Sequence, residues 1–157
     1  MPPSTQQDAD ILGKLPTAKD LKKQIAVREA AKASESLRAQ SVEEAEKRAL
    51  IEKLAKPSGV SDQERLERAI AIIKRAADND RTEVEVGRFP NQLCTDRGRA
   101  INQQERGWET TLTGVPKELF EFWSQHLKQH GYKLRMQVVD FPNGMPGDIG
   151  ITLSWGD

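Results

Sequence analysis

The chain has little of what cross-linking, metal binding or membrane insertion requires. Cys94 is the only cysteine in 157 residues, so no intramolecular disulfide can form, which fits a reducing compartment. Basic and acidic residues balance at 24 each. That balance argues against a histone-like, polybasic nucleic-acid binder and leaves open only a local basic patch. No run of about 18 apolar residues exists, so no membrane partner is expected. Met1 to Leu15 has neither a basic n-region nor an apolar h-region, so no secretory signal is expected and a cytoplasmic location is the default. Aromatic residues are few and unevenly placed. All three tryptophans, all four phenylalanines and the single tyrosine lie C-terminal to position 60, so core-forming material belongs to that half.

The pattern divides the chain into four parts. Residues 1–16 carry three prolines and few apolar side chains and read as a disordered tail. Ile11, Leu12 and Leu15 within it are stray apolar residues or a small docking cluster. Residues 17–56 form a helical arm, opened by Thr17 as N-cap and free of glycine and proline. Its apolar stripe is thin and lacks sustained heptads, so a strong coiled coil is not supported. A break near Ser34 to Ser41 remains open. Ten basic and seven acidic residues leave the arm a net charge of +3. Residues 57–60, with Pro57 and Gly59, form a linker, and residues 61–157 a compact α+β domain.

In that domain Ser61 and Glu64 form a capping box before an amphipathic helix whose apolar face holds Leu66, Ala69, Ile70, Ile73, Ala76 and Ala77. Thr82 to Phe89 alternates as a half-buried strand. Asn91 to Glu105 is a short helix or ordered loop with Leu93, Ala100 and Ile101 as core contacts. Pro116 opens a helix with Leu119, Phe120, Trp123 and Leu127 on one stripe, and Gly131 closes it. Tyr132 to Val139 and Ile149 to Trp155 alternate as the two strands of an antiparallel hairpin. The expected fold class is α+β: a long N-terminal helical arm, then a compact domain with a small three-stranded antiparallel sheet packed by helices.

Candidate chemistry is sparse. His126 and His130 share a helix face at metal-site spacing, but no third ligand is fixed, and cationic residues in a last helical turn complement the helix dipole. No metal and no cofactor are assigned. Cys94 would act as a nucleophile only with a stabilised thiolate and a nearby base; a lone cysteine is more often a buried hydrophobe. Arg88, Arg97, Arg99 and Arg106 flank a glycine-bearing segment and are the anion-binding candidates. With five basic and four acidic residues from Arg81 to Gly107, internal pairs such as Asp96 with an arginine are the simpler reading. Gly144, Gly147 and Gly150 are followed by a strand rather than a helix, so they read as hairpin turns and not as a dinucleotide loop. Phe141 and Met145 in that loop, with Val42, Leu50, Ile51 and Leu54 on the arm, are the partner-binding candidates.

The layout from Ala69 to Trp155 resembles that of small phage-associated proteins. The matching pieces are Ile73 to Ala76, Val84 to Pro90, Gly131 with Tyr132, and Ile151 to Trp155; the segment Leu93 to Leu112 departs from the pattern. The resemblance implies an assembly role and carries over no functional residues. Three function classes remain. The first is a non-enzymatic interaction or structural assembly protein whose arm docks on a protein partner or on a second copy. The second is a weak nucleic-acid-associated protein using the arm and the arginine-bearing loop. The third is a small enzyme with a site near Cys94.

Overall fold

The structure, a computed structural model, describes residues 6–156. Of the segment read as a tail, residues 1–5 lie outside the described residues. The rest opens with helix α1, Gln6–Leu12. Helix formers without an intervening proline favour a short helix here, and Gly13 ends it with its N–H on the Ala9 carbonyl. Ile11, Leu12 and Leu15 are exposed.

Helix α2 runs unbroken from Ala18 to Ala55, 38 residues, or about 57 Å at 1.5 Å per residue. Thr17 Oγ1 accepts the Asp20 N–H at 3.1 Å, the expected cap. Serines between positions 34 and 41 do not interrupt it, because neither glycine nor proline frees a backbone bond. No residue of α2 is buried.

The chain forms two compact units, the first ending at Glu46 and the second beginning at Lys47. The boundary falls inside α2, ahead of the segment 57–60 read as a linker. The physical reason is contact: Ile51 and Leu54 pack against the hydrophobic core of the second unit.

That unit continues with α3, Asp62–Asp78, where Ser61 Oγ accepts the Glu64 N–H at 3.1 Å. Strand β1, Glu83–Phe89, follows. A connecting region holds α4, Arg99–Asn102, and 3-10 turns at Asn91–Leu93 and Trp108–Thr111. Helix α5, Gly114–Phe122, leads to β2, Lys133–Val138, and β3, Ile149–Ser154. All pairs are antiparallel in the order β1-β3-β2. Ile149, Ile151 and Leu153 of the central strand are buried on one face of the sheet, beside Phe89, Met136 and Val138. The other face is polar, with Arg135 on Glu83 at 3.1 Å and Arg88 on Glu85 at 2.8 Å.

Two details depart from the sequence expectation. On α3 Ala69, Ile73 and Ala76 of the expected face do pack inward, while Leu66 and Ile70 are 38% and 42% exposed. The inward line runs through Arg65, Ala69, Ile72 and Ala76, a helical i, i+4, i+7 series displaced from the one the large residues suggest. After Phe122 the helix widens into a π turn at Trp123–Leu127, then a 3-10 turn at Lys128–His130. Bonding from i to i+5 brings residues five apart onto one side. Phe122 and Leu127, five apart, are both buried in one cluster. Gly131 closes the element at φ 91°.

A close backbone approach joins α2 to α5. At Gly114, φ 59°, a Cβ would sit 2.1 Å from the Leu54 carbonyl oxygen. Replacing Gly114 by alanine should therefore cost about 2–4 kcal/mol, from left-handed strain and overpacking together, read as a lower urea midpoint. A chain starting at residue 47 should keep one cooperative thermal transition. One starting at Ser58 should lose about 2–4 kcal/mol as the core loses Ile51 and Leu54.

Candidate functional site

The partner-binding candidates separate in the structure. Val42 and Leu50 are 56% and 43% exposed. Ile51 and Leu54 are half-buried against the core of their own unit and are spent internally, because the last turns of α2 cover the sheet-side core. Phe141 and Met145 stand exposed on the loop between β2 and β3. Asp140 closes that loop: its carbonyl accepts the Gly147 N–H at 2.9 Å, and its carboxylate accepts the Asp148 N–H. The residues between are held at their base, with Asn143 and Gly144 at positive φ.

The four arginines proposed for anions do not converge as free donors. Arg88 is committed to Glu85 at 2.8 Å and Arg99 to Glu105 at 2.8 Å. Arg97 and Arg106 are exposed and make no ion pair among the described residues. Asp96, expected to pair with an arginine, instead accepts the Gly98 N–H at 3.0 Å and the Ala100 N–H at 2.9 Å. A carboxylate at the start of a helix satisfies backbone donors that the helix itself leaves open.

Cys94 is 2% exposed, between Leu93 and the Leu112 backbone. Burial pushes its thiol up to about 11, with a hydrogen bond to Thr111 acting the other way. Neither the exposure nor the thiolate that nucleophilic attack requires is present there. His126 Nε2 lies 3.2 Å from Asp62 Oδ2, and its ring meets that of Phe122 at 5.2 Å between centroids, tilted by 43°. It ties the start of α3 to the π turn, while His130 is exposed.

Sequence reasoning passed over the polar cluster that fixes the chain after α2. Glu118 on α5 accepts the Ser58 N–H at 3.2 Å and the Ser58 hydroxyl at 2.7 Å. Arg65 Nη2 donates to Ser58 Oγ at 2.8 Å and pairs with Glu118 at 3.3 Å. Its guanidinium also lies 5.9 Å from the Phe122 ring centroid. The three residues are 7 to 60 positions apart in sequence, so no local spacing marks them. Among the described residues, no helix is long and apolar enough to cross a membrane, and no cluster of three or more histidine, cysteine, aspartate or glutamate residues could hold a metal ion.

Comparison with protein-family models, curated proteins and solved structures finds no match to this chain.

The Ser58 hydroxyl is the foremost cause holding Glu118 below the usual glutamate range; the Ser58 N–H and Arg65 add to it and partial burial opposes it. A carboxyl with a depressed folded-state pKa contributes stability above its unfolded value and loses it as pH falls through the folded one. The part due to Glu118 should therefore be intact well above the unfolded value of about 4.3 and decline progressively as pH falls from there through the lower folded one. Glu118→Gln should remove that part of the acid sensitivity and lower stability at neutral pH by no more than about 1 kcal/mol. Urea titrations of both proteins between pH 3 and 7 check this.

Proposed function

We propose that the protein is a non-enzymatic interaction or assembly protein whose long helix docks on a protein partner or a second copy of the chain. One observation carries this reading: α2 is continuous over 38 residues with no buried residue. Leu21, Ile25, Val27, Leu37 and Val42 all stand more than two fifths exposed on it. An isolated helix of modest propensity is marginal in water, and most helical stability in proteins comes from packing an apolar face. Residues 18–46 have no such packing of their own, so a helix there is stabilised by whatever covers Leu37, Val42 and their neighbours. The layout resemblance to phage-associated proteins supports the same class of role.

Leu37→Ser with Val42→Ser should weaken association. Burying a side chain of this size contributes roughly 1.5–3 kcal/mol, so each loss amounts to about tenfold or more in affinity. The thermal transition of residues 47–157 should not move. Hydrogen exchange on the dilute monomer decides the matter. Rapid exchange at residues 18–40 beside slow exchange at Leu119 to Leu127 is expected; equal protection in a monomer would mean the helix is already packed, and the docking role fails.

A further inference from the structure

The second compact unit carries a pocket of 480 Å³, open to solvent on one side, between the end of α2, α3, α5 and the sheet. Its walls are apolar: Leu54, Ala69, Ile72, Trp123, Leu134 and Leu153 are among the side chains that line it. The space follows from the way α3 packs. Alanines occupy its buried line, while Leu66 and Ile70 face solvent. Its volume falls in the 300–1,000 Å³ range typical of small-molecule sites.

The charged side chains in the lining are cationic, and Glu118 stands behind two of its residues, Ser58 and Arg65. Lys53, Arg65 and Arg68 line it, and no aspartate or glutamate does. Arg65 is engaged by Ser58 and Glu118. Lys53 and Arg68 make no side-chain hydrogen bond or ion pair among the described residues, and both are exposed. Two uncommitted cations beside an apolar chamber define an amphiphilic environment. Ser58, the one hydroxyl in the lining, is already bonded to Glu118, so a ligand rich in hydroxyl or amide groups would leave its own polar atoms unpaired inside.

We propose that this cavity binds a small amphiphilic anion, an apolar body of aliphatic or aromatic carbon bearing one carboxylate or equivalent head. The apolar body lies against Trp123, Leu134 and Leu153, and the head sits with Lys53 and Arg68 at the solvent side. The site uses residues from position 47 onward and is independent of the docking role of the long helix.

Calorimetric titration of the full chain with sodium decanoate, decan-1-ol and decylamine tests the proposal, with tryptophan fluorescence reporting on Trp123. Decanoate should bind saturably at one site, and decylamine about tenfold more weakly or worse. Lys53→Glu with Arg68→Glu should reverse that preference without moving the thermal midpoint. Ala69→Leu, which fills part of the chamber, should weaken decanoate and decan-1-ol alike; should that variant unfold, Ile72→Phe serves the same purpose. No saturable binding of decanoate, equal binding of decylamine, or indifference to the charge reversal would overturn it.

Discussion

The Leu54 carbonyl oxygen occupies the place that a side chain at position 114 would take. Only a residue without a Cβ, in the left-handed region at φ 59°, lets the start of α5 approach the end of α2 so closely. Much of the second unit depends on that approach. It seats Ile51 and Leu54 against the core shared by Phe89, Ile101, Met136 and Ile149. It also places the chain leaving α2 where Ser58 can reach Glu118, four residues beyond Gly114. Arg65 on α3 completes that bond set. One steric constraint and one polar cluster thus fix three helices with few large side chains.

The same arrangement explains how the unit holds an interior space. The sheet supplies the floor, with Ile151 2% and Leu153 4% exposed. Helix α3 is held at its first turns by Arg65 and by the Asp62 contact to His126. It is anchored through polar groups at its start and through Ala69, Ile72, Ile73 and Ala76 along its length. Ile72 and Ile73 are half-buried between these anchors, Ile73 against the cluster of Phe122, Leu127 and Leu153. The π turn contributes by keeping Phe122 and Leu127 on one side, as parts of the wall.

The elements of the fold were largely legible in the sequence because they rest on local rules. Thr17 and Ser61 cap helices as their side chains require. Alternation marks β1, β2 and β3, and Gly131 adopts the positive φ of a helix-ending glycine. What was not legible is long-range. The side of α3 that faces inward depends on Arg65 finding a carboxylate 53 positions away, and the large residues Leu66 and Ile70 pointed to the neighbouring face. Pro57 and Gly59 mark where the helix ends, but the compact unit begins at Lys47 because contact, not helix termination, sets that boundary. The arginines after β1 looked convergent in sequence, yet Arg88 and Arg99 each find an acid within six residues. No signal in the sequence places Lys53 and Arg68 beside one cavity.

Two opposite stabilities meet inside a single helix. From Lys47 to Ala55, α2 is stabilised by tertiary contacts of Ile51 and Leu54, and its continuation by Glu118 and Arg65 holding Ser58. From Ala18 to Glu46 it has a cap at Thr17 and helix propensity, and no buried side chain. Because helix propagation adds one bond per residue while nucleation is costly, the packed end acts as a standing nucleus from which the free stretch extends. Ordering each residue costs roughly 1–2 kcal/mol of backbone entropy, and propensity offsets most of that cost in alanine- and glutamate-rich sequence. The balance along residues 18–46 is therefore close to even. On the function proposed above, such a helix would gain its missing packing where a partner covers Leu37 or Val42.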